Sequence, residues 1–374
     1  MKFDKDTVAG IQLAARKIMA EGPLEATKAI QRALAGAVDE APAPPMKDLN
    51  PPPPGSRKVR KPPFSMPGVE LPGGLMPEPA RRKPPRTPAA PLPAGARFLA
   101  AAYRGAEGSR SYKLYVPASY QGQAMPLVVM LHGCTQDPDD FAAGTRMNQL
   151  AERDGFLVLY PAQSRKANHS LCWNWFQPDA LQTGRGEAAI IAGMVASVMD
   201  DYAVQADHIS IAGLSAGGAM ALAVATLHPE TFRCVGVHSG LPFGAAHDLP
   251  SALQAMQSGS ATGTRPLTLP RLIVFHGDKD KTVHPANSAH ILDSRTASEP
   301  HAKAEITKGK AQGGRRYTCT THRRLNGEVF AEQWEIHGAG HAWAGGNPQG
   351  SFTDVTGPDA SSEMLRFFGI AAAG

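Results

Sequence analysis

The run Gly213-Leu214-Ser215-Ala216-Gly217 brings a hydroxyl and two flanking glycines together in the spacing G-x-S-x-G. A mostly apolar stretch (209–212) precedes it and an apolar stretch of helical character follows. A serine between a strand and a helix sits on a sharp turn, where glycines let backbone approach at distances a side chain would forbid. Its hydroxyl projects outward, and the helix N-terminus behind it favours developing negative charge. The spacing alone is common in a chain with 38 glycines, but the strand–turn–helix context makes Ser215 the expected nucleophile.

Such a serine needs a base, normally an imidazole whose tautomer is held by a carboxylate. On a strand-to-helix turn of this kind, carboxylate and imidazole follow in that order, each after a later strand. The apolar run 272–275 leads into His276-Gly277-Asp278-Lys279-Asp280. Asp280 is the expected orienting carboxylate, with Asp278 capping the turn. Thirteen histidines compete for the base. His341 follows the last apolar run, and the small residues around it free its backbone to approach the serine. His337, nearer the strand end, reads as a hydrogen-bonded structural histidine. His284, His290, His301 and His322 read as exposed polar residues.

The tetrahedral oxyanion of acyl transfer requires two preorganised N–H donors. The N–H of Ala216 should supply one. The second should come from the loop after the first core strand, Leu131-His132-Gly133-Cys134-Thr135-Gln136, with the N–H of Cys134 as candidate. His132 reads as a structural hydrogen-bonding residue. Trp173, Trp175 and Trp343 are expected at the mouth of a cleft for apolar ester chains or phenolic rings. The competing reading puts one or two of them in the core, where Trp334 also belongs.

These residues need a scaffold. Runs 127–131, 156–160, 209–212, 234–237 and 272–275 are rich in Val, Ile and Leu, as strands covered on both faces are. Segments 187–202 and 216–227 read as helices. The alternation implies an α/β fold, a mostly parallel sheet with helices on both faces and functional loops at the strand C-termini. Run 112–116 reads as an antiparallel strand leading in, and 318–323 with 329–336 as a late hairpin around Asn326-Gly327.

The chain has 374 residues, and 18 of its 33 prolines fall between Pro42 and Pro93. Such a segment cannot pair its backbone or bury enough apolar surface to offset ordering entropy. The expected organisation is an amphipathic helical arm (1–40), a proline-rich linker (41–96) and one catalytic domain (97–374). In the arm, Val8, Ile11, Ala15 and Ile18, then Leu24, Thr27, Ile30 and Leu34, recur at helical spacing around Gly22-Pro23. It reads as a helical hairpin docking on the body or a partner subunit, or as an anchor to a hydrophobic surface.

Residues 1–96 hold 15 Lys/Arg against 9 Asp/Glu, leaving 23 against 24 for the rest. The basic pI therefore belongs to the N-terminal part, which argues against a nucleic-acid-binding body. No run reaches the ~18–20 apolar residues needed to span a bilayer. The N-terminus lacks the apolar h-region of a standard secretory signal, so retention in the cytoplasm is expected first, with unconventional export as the alternative. Cys134, Cys172, Cys234 and Cys319 permit two disulfides or free buried thiols. Their spacing does not suggest a metal site.

Taken together, LHGCTQ (131–136), CWNWF (172–176), GRGEAAIIAGMV (184–195), AGLSAGGAM (212–220), GVHSGLPFGAA (236–246), FHGDKDKTV (275–283) and GAGHAWAGG (338–346) resemble the polyhydroxyalkanoate depolymerase family of esterases, related to feruloyl and acetylxylan esterases. The likeness runs from about residue 98 to 369. It implies an α/β-hydrolase fold, a triad of Ser215, Asp280 and His341, and no metal or organic cofactor. Secreted members of that family carry a signal peptide and a polymer-binding domain after the catalytic one, whereas the additions here are N-terminal. The expected function is hydrolysis of carboxylic esters, first of polyhydroxyalkanoate or its oligomers. A plant-wall phenolic or acetyl ester is the alternative. A granule-surface protein with little catalysis, held by the arm, is a different class of reading. A peptidase is disfavoured because no gating domain accompanies the catalytic region.

Overall fold

The computed structural model describes residues 92–260 and 269–370. The expected helical arm (1–40) and the linker, up to residue 91, lie outside the described residues. The first two strands, β1 (Arg97–Gly105) and β2 (Gly108–Val116), form an antiparallel hairpin. The strands that follow are β3 (Met125–Leu131), β4 (Leu157–Pro161), β5 (Val204–Leu214), β6 (Cys234–His238), β7 (Arg271–Gly277), β8 (Lys303–Lys310), β9 (Arg316–Arg323) and β10 (Val329–Ile336). They make one sheet in the order β1-β2-β4-β3-β5-β6-β7-β10-β9-β8. The six strands from β4 to β10 run parallel; the pairs at either end are antiparallel.

The helices are α1 (Pro138–Thr145), α2 (Met147–Asp154), α3 (Gly186–Asp201), α4 (Ala216–Leu227), α5 (Leu249–Ser258), α6 (Ala286–Thr296) and α7 (Ala360–Phe368). Side chains alternate across a strand, so each central strand feeds two cores. Leu127, Val129 and Leu131 of β3 join Ile191 and Met194 of α3, Met220 and Val224 of α4 and Ile291 of α6. Val128 and Met130 point the other way, toward Phe141 of α1, Leu150 of α2 and Met364, Leu365 and Phe368 of α7. This double coverage is why the central strands read as unbroken apolar runs.

The expected late hairpin is present as β9 and β10, with Gly327 at φ 87° in the turn. Strand β8 left no apolar signal. Seven of its eight residues are exposed, as suits a lysine-bearing edge strand. A short parallel pair, β11 (Trp343–Ala344) with β12 (Thr353–Asp354), closes the segment beyond β10.

Candidate active site

Ser215 follows β5 directly and precedes the first residue of α4, with φ 58° and ψ −122°. A non-glycine residue there is strained and persists only where its surroundings over-determine it. Two glycines make the turn fit: a Cβ on Gly213 would meet Gly217 backbone at 2.4 Å, and one on Gly217 would meet the Leu131 carbonyl oxygen at 2.2 Å. The Ser215 N–H donates to the His238 carbonyl at 2.8 Å, locking the turn to β6. Helix α4 has no side-chain cap, so its first amides face the serine end without an internal acceptor.

Asp280 follows β7 and His341 follows β10, on the sheet edge where β5 delivers Ser215. His341 Nδ1 lies 2.7 Å from Asp280 Oδ2. The other carboxylate oxygen accepts the backbone N–H groups of Thr282 at 2.8 Å and Val283 at 2.9 Å. Burial by itself would raise the Asp280 carboxyl. Hydrogen bonds from His276 and His341, with the Val283 amide, overcome it and hold the group far below the usual carboxylate range. Asp280 is thus a fixed anion presented to one imidazole nitrogen of His341.

In the loop after β3, Gly133 O faces His132 Nδ1 at 2.8 Å, and the Gln163 N–H donates to His132 Nε2 at 3.1 Å. The ring proton therefore sits on Nδ1 and grips the Gly133 carbonyl, so His132 is structural, as expected. Carbonyl and N–H of a trans peptide point opposite ways, which turns the Cys134 N–H away from the His132 ring. Among the described residues no acceptor faces the N–H of Cys134 or Ala216. Cys134 is also tied by a disulfide to Cys172, while Cys234 and Cys319 are free and buried. The pairing could not be read from sequence because it depends on loops 38 residues apart.

The tryptophans require a correction. Trp173 and Trp343 are 0% and 1% exposed, so neither ring forms a cleft mouth. Trp173 donates Nε1–H to the His132 carbonyl at 3.1 Å, underpinning the loop after β3. Trp343 donates to Ser361 Oγ at 3.0 Å and stacks on His238. Trp175 is also buried, edge-on to the partly exposed Phe176. Each ring sits beneath the site because its N–H or its area is satisfied inside. Trp334 is core, stacked on Phe275. His290 and His322 are half-buried rather than exposed, and His322 lies edge-on to Phe330.

A family model described as Esterase PHB depolymerase matches residues 110–297, half of the chain. This chain belongs to the Esterase PHB depolymerase family. It is 29% identical over 240 residues to poly(3-hydroxyalkanoate) depolymerase C of Paucimonas lemoignei, a match covering 61% of this chain and 57% of that protein. It is also 29% identical over 202 residues to feruloyl esterase B of Thermothelomyces thermophilus, covering 48% and 67%. The chain thus spans little more than half of the depolymerase it matches. An acetyl xylan esterase structure from Aspergillus awamori shares the fold, with TM-score 0.55 and 20% identity over 70% of this chain and 94% of that one.

Two buried histidines near this site carry no signal in the sequence. His238 and His276 are buried at the ends of β6 and β7. Their apolar neighbours make them look like strand, and only their position at strand C-termini could flag them. Asp278 does not simply cap its own turn. It accepts the Gly338 N–H at 2.7 Å and faces His337 Nδ1 at 3.3 Å, while His337 Nε2 meets Thr318 Oγ1 at 2.9 Å. Asp278, Glu335 and His337 bring potential metal-ligand atoms within 4.8 Å of one another. Asp278 and His337 are already engaged in stapling the β7 and β10 loops together.

Proposed function

We propose that this chain is a serine carboxylic-ester hydrolase acting on polyhydroxyalkanoate, with poly(3-hydroxybutyrate) or its oligomers as first substrate. The observation that carries the reading is a Ser215 held at positive φ after β5, at the same end of the sheet as the Asp280–His341 pair. Ser215 Oγ attacks the ester carbonyl carbon as His341 Nε2 takes its proton. Asp280 stabilises the imidazolium, and the N–H groups of Cys134 and Ala216 receive the oxyanion. Collapse expels the alcohol, which takes the proton from His341 and leaves an acyl-serine. Water, deprotonated by His341, then releases the acid and restores Ser215.

Similarity to poly(3-hydroxyalkanoate) depolymerase C supports the polyester substrate. Similarity to feruloyl esterase B and to a probable acetylxylan esterase A of Aspergillus fumigatus supports a second reading, phenolic or acetyl esters. Purified protein assayed on polyhydroxybutyrate film, hydroxybutyrate oligomers, methyl ferulate and acetylated xylan separates them. Turnover of the first two alone supports the proposal, and turnover confined to the last two overturns the substrate. Ser215→Ala should abolish all of it while the fold persists; retained turnover overturns the mechanism.

The Cys134–Cys172 disulfide favours an oxidising compartment over the cytoplasmic one as the proposed location. Association with a polymer surface through the arm stays part of the proposal, tested by whether residues 1–96 alone bind granules.

A further inference from the structure

We propose that His276 is a positioning residue for the reaction. It is a second imidazole that pins the carboxylate on which His341 depends. The proposal rests on the reading of Ser215, His341 and Asp280 given above. His276 is the next-to-last residue of β7 and is 2% exposed. Its Nε2 lies 2.9 Å from the Val283 carbonyl oxygen and 3.3 Å from Asp280 Oδ2. Both neighbours are acceptors, so the ring proton belongs on Nε2. Nδ1 is buried and meets no partner. A second proton there would be a buried donor with no acceptor, which the interior penalises. The ring therefore acts as a neutral, one-proton donor.

The geometry gives that donor a specific task. Asp280 Oδ2 is the oxygen that faces His341, and His276 reaches the same oxygen from behind. Oδ1 is held by two amides of the turn 280–283, and the Val283 carbonyl at the end of that turn is held by His276. One N–H thus braces both the carboxylate and the turn that orients it. Rotation of Asp280 about its side-chain bonds would break these contacts together. Without the brace, the carboxylate is free to turn away from His341 Nδ1, and the base loses its fixed tautomer and aim. His238, stacked on Phe275 beside this group, and Asp354 beyond it, held by Arg315, are the other ionisable neighbours. None of them reaches Asp280 by hydrogen bond.

The test compares His276→Gln, whose amide N–H reaches the Nε2 position, with His276→Asn, whose shorter amide does not, and His276→Phe, which keeps a ring without a donor. Functional sites are first counted by stoichiometric labelling of Ser215 with an organophosphate. The kcat per labelled site and KM are then measured on p-nitrophenyl butyrate. His276→Phe and His276→Asn should lose roughly ten- to a hundredfold in kcat per site with KM nearly unchanged, less than the ~10⁴-fold lost when an orienting carboxylate is itself neutralised. His276→Gln should recover most of that loss. A residue that only filled space would lower the fraction of sites labelled but not the kcat of each.

Wild-type kcat per site in folded His276→Phe overturns the proposal. If that variant does not fold, equal kcat in the Gln and Asn variants overturns it. Failure of the underlying reading looks different: Ser215→Ala would keep ester turnover, or the organophosphate would not label Ser215.

Discussion

The N–H of Ser215 donates to the carbonyl of His238 at 2.8 Å, and the His238 ring accepts the N–H of Ala344 at 3.0 Å. A single residue at the end of β6 thereby holds the serine turn and the segment just beyond His341. Its ring is sandwiched between Phe275 and Trp343. The Ala344 bond requires a bare Nε2, so the ring is useful only while unprotonated there.

That requirement predicts acid sensitivity. Burial pushes His238 down to about 3, with the His276 and His341 rings adding to the push. Burial also lowers His132. Between pH 6.5 and 3 the unfolded chain binds protons that the folded one refuses, so stability is fully present above 6.5 and falls as pH drops through that window. A tenfold change in proton affinity is worth about 1.4 kcal/mol, so His238 alone represents a loss on the order of several kcal/mol. Urea unfolding at pH 8, 6.5, 5 and 4 should show a progressive fall below 6.5. A flat profile down to pH 4 would contradict the buried neutral ring.

Asp280→Asn should leave the fold intact and lower kcat by roughly 10³–10⁴, as loss of the orienting anion strands the imidazole in the wrong tautomer. Circular dichroism and steady-state kinetics check the two halves. A loss under about tenfold would assign the orienting role elsewhere.

Reduction of the Cys134–Cys172 disulfide frees a loop with a sequence separation of 38. A closed loop of that length is worth about 4 kcal/mol to the folded state. Cys134→Ser with Cys172→Ser should lower the midpoint of urea unfolding accordingly, and kcat should fall with it because the Cys134 amide loses an anchor. Maleimide labelling of the denatured, unreduced protein should find two thiols, Cys234 and Cys319; four would rule the bridge out.

Trp343→Ala should cost about 3–5 kcal/mol, the range for emptying an aromatic site in a packed core. Trp343→Phe keeps much of the ring area and loses only the Nε1–H bond to Ser361, about 1 kcal/mol. A ring lining an open cleft would show the reverse pattern, with KM altered and stability untouched. Differential scanning fluorimetry alongside KM distinguishes the two.

The sharp turn at Ser215 was legible because its signal is local: glycines at fixed offsets, an apolar strand before and an apolar helix after. Asp280 and His341 were legible through the order of the strands, since each follows an apolar run in a segment rich in small residues. The tryptophans were not. Trp343 lies two residues from His341, yet the β11–β12 pairing turns its ring into the core beside Phe141. Proximity along the chain says nothing about which face a ring takes.

The sequence by itself determined the alternating α/β architecture and the chain order of serine, aspartate and histidine. Periodicity and turn chemistry are properties of neighbouring residues. Only the tertiary structure decided that Cys134 pairs with Cys172, that His132 grips the Gly133 carbonyl, and that His238 and His276 stand behind Ser215 and Asp280. Those contacts join strands that are far apart in the chain. A buried histidine takes its partners from whatever the fold brings against it.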